Sequence, residues 1–367
     1  MIPIKALLKE HSLENTTPLD RFLLFRYFDK FHPRLFSKGG IYRAIQDHIP
    51  RPDYHEFEVP NDQPTTTTEK LRETLEQHKV AYLKDVSSTV GGGTGIIKIF
   101  LLEDEVKLVI PSTATREILE RRLDRLFQDD SDNFIHFIRH SFSEADKVSL
   151  PIMKKRADQP LEKVLYVLLN HSLQPGEYII EAPIDIPLYN ERTWEIRNVV
   201  QSPNGMPQIT ARYTKVGGNK DFSNILLGGE PEDPLIVTPD LYKNHQQKEH
   251  DVAQQLGQEY LKANDKVTLA AATALSDYMR RIAAEHLQDL DPQEFYARKF
   301  SVDITAQFNS EGVLTPIVGE LQYPLGSYVS YTPELMRTDP KRLELIYEID
   351  EIMKEKDRTV IGKLLRN

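Results

Sequence analysis

The sequence contains no cysteine among its 367 residues. This absence excludes disulfide bridges, thiolate zinc sites and cysteine nucleophiles. No segment approaches the ~18 uncharged apolar residues that a membrane-spanning helix needs. The N-terminal stretch MIPIKALLKEHSLEN carries lysines where a secretory signal would have its apolar run. The sequence therefore predicts a cytoplasmic protein that does not enter a membrane.

Positive charge is also in short supply, because 46 Lys and Arg face 56 Asp and Glu, giving a net charge of −10. Binding to nucleic acid or to an anionic membrane depends on many basic side chains that displace counterions. We therefore expect neither partner, although a local basic pocket for phosphate remains open.

No Gly-x-Ser-x-Gly motif is present either. With cysteine also absent, we expect the nucleophile to come from a substrate.

Predicted strands and helices occur in groups rather than in strict alternation. Helical patterns fill the first fifty residues, and the proline-bearing IPRPDYHEFEVPNDQP reads as a connector. A helix, a glycine-rich hairpin and further helices precede three strands, a long helix with a predicted break near Asn264, and two final strands around the turn SEG. This grouping predicts an α+β fold with mainly antiparallel sheets in two lobes.

The glycine-rich segment SSTVGGGTG, residues 87–95, directly follows a predicted strand that contains Lys84. Glycine lets backbone N–H groups approach phosphate oxygens, hydroxyls add donors, and lysine supplies a positive charge. The segment is not a Walker A loop, because no Gly-Lys-Ser/Thr ends it and the strand-like IIKIFLL follows it. A purely structural hairpin turn is the alternative, so the interpretation depends on other residues.

Three oxygen-bearing side chains fall on the last two predicted strands. Glu320 and Gln322 are two residues apart on one strand, so they project from the same face. Pairing through the SEG turn would bring Asp303 beside them. Two carboxylates and an amide oxygen suit Mg²⁺ that also contacts nucleotide phosphates. The alternative interpretation is that they are ordinary polar positions on a half-exposed sheet.

Four motifs follow one another along the chain: YLKD with STVGGGTGI, TWEIRNVV, TARYTKVGGNKDFSNILLGGE, and VDI with VGELQYPLG. In this order they resemble the ATP-grasp superfamily, nearest to its spore-coat-associated branch, over residues 27–330. The resemblance implies an ATP-grasp fold, in which two α+β lobes with antiparallel sheets sandwich the nucleotide. It implies ATP and Mg²⁺ as cofactors. A reduced helical N-terminal region stands where many relatives have a full front domain.

The same resemblance implies the order of the domains. Residues 1–60 would form an N-terminal helical segment and connector, and 61–185 a small lobe with the glycine-rich lid loop and a helical insertion. Residues 186–335 would form a large lobe with the metal site, and 336–367 a C-terminal helix.

Individual roles also follow from the resemblance. The residues expected to face the phosphates or the reaction intermediate, and to converge as a positive pocket, are Lys84, Arg197 and Arg212. Nucleotide contacts are expected from Lys38, with Arg43 as its rival, and from Lys84. The lid loop would contribute Ser87, Ser88, Gly91, Gly92, Gly93 and Gly95, and the adenine hinge Glu181, Ala182, Pro183 and Ile184. Mg²⁺ would be held by Asp303, Glu320 and Gln322, where Gln322 replaces the family's usual Asn.

These expectations predict a carboxylate–amine (or thiol) ligase that acts through an acyl phosphate, for example on peptides or amino acids. The acceptor would be a small molecule, a peptide or a carrier protein. A homodimer mate, a partner chain or the helical segment 126–165 would replace the front domain in holding the second substrate. The alternatives are a small-molecule kinase on the same scaffold and a non-catalytic structural protein. Histidines at 136 and 140, four apart on a predicted helix, form a weaker candidate metal pair because the zinc-protease glutamate is missing.

Overall fold

A computed structural model describes residues 42–43, 45, 49–60, 63–86, 95–102, 105–110, 117–119, 121–122, 135–140, 150–155, 161–218, 229–286, 293, 296–322, 348, 352 and 355. The chain divides into two compact units. The small unit is Pro52–Ile184, and the large unit comprises Met1–Arg51 and Asp185–Asn367. Each unit contains one antiparallel sheet with helices, so the predicted α+β class is confirmed.

The small unit is built on a seven-stranded sheet. Its elements are β1 (Tyr54–Val59), α1 (Pro64–His78), β2 (Val80–Asp85), β3 (Ile96–Leu102), β4 (Glu105–Val109), β5 (Ile135–His140), β6 (Leu150–Lys155), α2 (Leu161–Val167), a π-helical turn (Leu168–Ser172) and β7 (Gly176–Glu181). The strand order is β1-β7-β2-β3-β4-β6-β5, with every neighbouring pair antiparallel.

One face of this sheet forms the core with α1 and α2. Leu71 and Leu75 of α1 are fully buried and belong to one hydrophobic cluster with Leu83 of β2. The helix ends at Lys79, whose backbone is left-handed and whose N–H donates to the Leu75 carbonyl. Because strand side chains alternate between faces, inward-facing Leu83 places its neighbour Lys84 on the opposite face of the sheet.

Two sequence predictions in the small unit are wrong. The predicted connector contains β1, an edge strand paired with β7. Of its four prolines, the two nearest to β1, at positions 52 and 60, flank the strand, where they cost no ladder hydrogen bond. The predicted helical segment 126–165 contains β5 and β6. His136 and His140 therefore lie on a strand, where four residues span about 13 Å, too far for one metal ion.

The large unit carries a five-stranded sheet. Its elements are β8 (Trp194–Gln201), β9 (Gln208–Val216), β10 (Glu230–Glu232), α3 (Pro234–Gln246), α4 (His250–His286), β11 (Lys299–Phe308) and β12 (Leu314–Gln322). The strand order is β10-β9-β8-β11-β12, again antiparallel throughout. The predicted strands and the SEG turn are confirmed here.

Helix α4 covers one face of this sheet without interruption for 37 residues. The predicted break near Asn264 is wrong. Asn264 is fully buried, and its side-chain oxygen accepts a long hydrogen bond from Thr268 one turn later. Along the helix, Ala271 and Leu275 pack with Phe300 and Val302 of β11. The core on this side leaves the opposite face of the sheet to polar residues.

Helix α3 has no counterpart in the sequence prediction. It begins at Pro234 behind Asp233, whose carboxylate accepts the Leu235 N–H and satisfies a donor at the helix start. Of the predicted C-terminal helix, Glu348, Ile352 and Glu355 are described and are helical. Within the part of the chain that the structure describes, no helix combines the length and apolarity needed to cross a bilayer.

Candidate functional site

Asp303 lies on β11, on the face of the sheet opposite α4, and is completely buried. Its main-chain partners across the sheet are Arg197 on β8 and Glu320 on β12. Arg197 donates from Nε to Oδ1 at 2.7 Å and from Nη2 to Oδ2 at 2.6 Å. Lys215 donates from Nζ to Oδ2 at 2.7 Å. The carboxylate is therefore held by two cations from two neighbouring strands.

Lys215 also contacts a second carboxylate, that of Glu195. The two residues face each other in the register of β8 and β9. Lys215 is thus shared between Glu195 and Asp303 and joins side chains from three strands. We call the set Glu195, Arg197, Lys215, Asp303 and Glu320 the charged cluster.

The charges in the cluster shape its protonation. Burial by itself raises the pKa of Asp303, but the charges of Arg197 and Lys215 outweigh it, so the pKa lies below its ordinary value. Burial, reinforced by repulsion from Asp303, raises the pKa of Glu195 above its ordinary value despite Lys215. Burial opposes the charge of Lys215, yet the two carboxylates raise its pKa. Asp303 is therefore ionised and Lys215 charged at neutral pH.

The cluster fits a magnesium ion in its donor chemistry. Asp303 and Glu320 sit directly opposite each other on adjacent strands. Each carboxylate oxygen has more than one lone pair, so an oxygen that accepts an N–H hydrogen bond can also coordinate a metal ion. Gln322 lies two residues beyond Glu320 on β12, with its backbone opposite Ser301. Among the described residues no group of three or more His, Cys, Asp or Glu is arranged to hold a metal ion. A bound ion would therefore depend on two carboxylates and further oxygens.

Arg212 does not join Arg197, which corrects the expectation that the two converge. Register pairs Arg197 with Tyr213 and Asn198 with Arg212, so the two arginines point to opposite faces. Arg212 donates from Nε to Asn198 Oδ1 at 2.9 Å and forms an ion pair with Asp265 of α4. It faces the helix and not the charged cluster. Tyr213 lies opposite Arg197, so side-chain alternation along β9 places Lys215, two residues further on, on the same face as Arg197. Lys215 is the basic residue that sequence analysis missed.

In the small unit, the structure brings together two of the predicted nucleotide contacts. Lys84 Nζ donates to Glu181 Oε1 at 2.5 Å between the adjacent strands β2 and β7. Glu181 is 4% exposed, and its Oε2 has no hydrogen-bond partner within the described residues. The carboxylate fixes the lysine at the end of the strand that precedes the glycine-rich loop.

The predicted hinge after Glu181 offers fewer donors than expected. The Ala182 N–H donates to the Asp53 carbonyl at 2.9 Å and is engaged within the protein. Pro183 has no N–H to offer. Recognition of a base edge would therefore depend on the Ile184 N–H and on the carbonyl groups of the segment.

The base of the glycine-rich loop is closed by the Asp85 N–H, which donates to the Gly95 carbonyl at 2.7 Å. Gly95 has a φ of 74°, a conformation that favours glycine. The predicted contacts Lys38, Ser87, Ser88, Gly91, Gly92 and Gly93 lie outside the described residues. Their roles stay predictions.

No protein-family model matches the sequence, and the comparison with curated proteins finds no match. Solved structures do align with this chain. The D-alanine-D-alanine ligase from Coxiella burnetii aligns over 99% of this chain and 66% of its own, with 12% identity and a TM-score of 0.40. The D-cycloserine synthetase DcsG aligns over 89% of this chain and 71% of its own, with 9% identity and a TM-score of 0.40. This chain spans about two thirds of the length of the first of these enzymes.

Proposed function

We propose that the chain is an ATP-dependent ligase of the ATP-grasp type that joins a carboxylate to an amine (or a thiol) through an acyl phosphate. One observation carries the proposal. Arg197 and Asp303, 106 residues apart, belong to two of the four ordered motifs and meet in a bidentate ion pair. Glu320, from the last motif, lies opposite Asp303. Charged residues from motifs distant in sequence thus gather on one sheet face.

Asp303 and Glu320 would hold Mg²⁺, which would neutralise negative charge on the nucleotide phosphates. Arg197 and Lys215 supply the positive charge of this face. In the small unit, Lys84 would contact the α- and β-phosphates, and Glu181 keeps its ammonium in place. The side chains contribute chiefly by positioning and charge neutralisation, which are the main catalytic effects in phosphoryl transfer.

The reaction needs no protein nucleophile, in keeping with a chain that lacks cysteine. A substrate carboxylate oxygen forms a bond to the γ-phosphorus, and the bond between that phosphorus and the bridging oxygen breaks, leaving its electron pair on ADP. The acceptor nitrogen then attacks the acyl carbon and loses a proton, and phosphate departs. Arg197 would stabilise charge on the transferred group in both steps. Peptides or amino acids are the acceptors we propose.

A non-catalytic role is the second candidate, and a specific observation favours it. Both oxygens of Asp303 accept hydrogen bonds from Arg197 and Lys215. The positive charges of Arg197 and Lys215 thus neutralise Asp303, and the cluster can hold the neighbouring strands together without a metal ion.

Calorimetric titration with Mg·ATP, followed by ADP release screened against pools of carboxylates and amines, separates these functions. A ligase releases ADP only when both pools are present. A kinase on the same scaffold yields a phosphorylated product without an amine. Absence of Mg·ATP binding would refute both enzymatic functions and leave the structural role. Glu320→Ala should abolish ADP release, whereas Glu311→Ala, at an exposed glutamate in the turn before β12, should not.

A further inference from the structure

Strand β12 contains a bulge beside the charged cluster. Asp303 pairs with Glu320, whereas the next residue of β11, Ile304, pairs with Val318. Gly319 is therefore an extra residue of β12 that has no partner of its own on β11. Because strand side chains alternate, uninterrupted pairing would set Gly319 opposite Asp303 and turn Glu320 to the other face of the sheet. The bulge is thus what places Glu320 beside Asp303.

The burial of the residues around the bulge agrees with this register. Val318 and Leu321 are three residues apart, yet both are buried and belong to the hydrophobic cluster that includes α4. In a regular strand, residues three apart face opposite sides. Gly319 and Glu320, which lie between them, are only half-buried. The bulge therefore keeps two apolar residues in the core and leaves Glu320 partly exposed on the polar face.

A segment that precedes the first strand holds the main chain of the bulge through two hydrogen bonds. The Tyr42 hydroxyl donates to the Gly319 carbonyl at 3.1 Å. The Val318 N–H donates to the Pro50 carbonyl at 3.0 Å. One bond thus engages the extra residue itself and the other engages the residue before it. All of these residues belong to the large unit. We call Tyr42 and Pro50 the bulge clamp.

The bulge clamp is itself fixed by packing. Tyr42 is completely buried, and the Arg51 guanidinium carbon lies over its ring, 3.3 Å from the centroid, where a cation is attracted to the ring face. Ile45 and Ile49, three and seven residues after Tyr42, belong to the same hydrophobic cluster as Val318. The Tyr42 hydroxyl therefore reaches Gly319 from a packed position, and it transmits that rigidity to β12.

We propose that Tyr42 is a positioning residue of the metal site. Its hydroxyl holds the bulge of β12 and so keeps the Glu320 carboxylate where it binds Mg²⁺ together with Asp303. The inference rests on the proposed ligase function. Tyr42 acts through the main chain of Gly319 and not by contact with the ion. Mg²⁺ demands a near-octahedral set of oxygens, so a loosened bulge should weaken binding of the ion more than the direct contacts of the protein with ATP.

Calorimetric titration with ATP at several Mg²⁺ concentrations, and without Mg²⁺, tests this role. Tyr42→Phe removes the hydroxyl and keeps the ring. We expect this variant to raise the Mg²⁺ concentration needed for half-maximal ATP binding at least about threefold. ATP affinity without Mg²⁺ should stay within about twofold of the wild type. A general loss of structure would lower both quantities, so the Mg²⁺-free measurement separates positioning from misfolding.

Tyr242→Phe is the matched control. Tyr242 is also completely buried, and its hydroxyl also bonds to the main chain of β12, where it accepts the Leu314 N–H at 3.0 Å. Leu314 lies at the other end of the strand from Glu320. Urea denaturation should show similar losses of stability in the two variants, because each loses one buried hydrogen bond. Only Tyr42→Phe should change the Mg²⁺ requirement.

A double variant tests whether Tyr42 acts through Glu320. In a Glu320→Gln background, adding Tyr42→Phe should have less than about a twofold further effect on the Mg²⁺ requirement, because the carboxylate that it positions is already gone. The proposal is overturned by an unchanged Mg²⁺ requirement in Tyr42→Phe, by an equal change in Tyr242→Phe, or by a full effect of Tyr42→Phe in the Glu320→Gln background. Absence of Mg·ATP binding to the wild type instead refutes the ligase function, and the proposal with it, so the two failures are distinguishable.

Discussion

Arg197 and Asp303 bind each other through two parallel hydrogen bonds at the centre of the large unit's sheet. Asp303 is completely buried, and the Arg197 side chain is 14% exposed. An ion pair of this kind is costly to break on one side only, because the remaining charge is then buried without full compensation. The pair is therefore a structural element of the sheet as well as part of the candidate site.

Replacing Arg197 should reveal that cost. We expect Arg197→Met to lower the free energy of unfolding by about 3–5 kcal/mol, measured by urea denaturation. Arg192→Met is the matched control, since Arg192 pairs with Glu230 at a more exposed position, where the carboxylate side chain is 55% exposed. The decrease in the free energy of unfolding caused by Arg192→Met should stay below about 1 kcal/mol. Equal losses in the two variants would contradict the buried pair.

The Asp303 charge should also appear in the pH dependence of stability. Because the pKa of Asp303 is lower in the folded protein than its ordinary value, its contribution is present above the unfolded-state pKa of about 3.9 and is lost as pH falls through the folded-state pKa. The stability difference between wild type and Asp303→Asn should therefore be largest near neutral pH and shrink in acid. Urea denaturation at several pH values measures this difference. The exposed Asp277→Asn should show little difference at any pH.

The two faces of the sheet predict different effects for two basic residues of β9. Lys215→Met should weaken Mg·ATP binding at least about tenfold, because it removes a charge from the charged cluster. Arg212→Met should leave Mg·ATP affinity within about twofold and mainly affect stability, because Arg212 pairs with Asp265 of α4. Calorimetry of both variants tests the assignment. A stronger effect of Arg212→Met on binding would show that the faces are misassigned.

In the small unit, the Lys84–Glu181 pair predicts a positioning effect. Glu181→Gln keeps the shape of the side chain but removes the charge that holds the Lys84 ammonium. We expect it to weaken Mg·ATP binding by about tenfold, and Lys84→Met to weaken it further. Glu73→Gln, at an exposed glutamate of α1 that pairs with Lys70, serves as the control. Unchanged affinity in Glu181→Gln would exclude a role for the pair in nucleotide binding.

The strands with regular alternation were predictable from sequence, as β8, β9, β11 and β12 illustrate. The predictions were wrong where a local sequence signal disagreed with contacts made by distant parts of the chain. Prolines around β1 indicate a connector, although they flank the strand and leave its ladder intact. The polar Asn264 indicates a helix break, whereas burial against the sheet holds α4 together there. These outcomes depend on tertiary contacts that one chain segment does not contain.

The candidate site was predictable only where its residues lie close together in the sequence. Asp303 and Glu320 could be placed on adjacent strands from the hairpin alone. The turn by itself would set Gly319 opposite Asp303, and a register shift between Asp303 and Ile304 brings Glu320 there instead. Arg197 and Lys215 are brought to them by pairing between distant strands. Residue type alone pointed to Arg212. The register of β8 and β9 shows that Lys215, three residues further along β9, is the basic residue on the same face as Arg197.

Helix α4 has a consequence for how the large unit loses its structure. Ala253 and Tyr260 near its start belong to one hydrophobic cluster, and Ala271 and Leu275 further along belong to another. One unbroken ladder of backbone hydrogen bonds therefore links the two clusters. We expect amide hydrogen exchange in both halves of α4 to occur through a single opening of similar free energy, so that the two clusters behave as one cooperative folding unit.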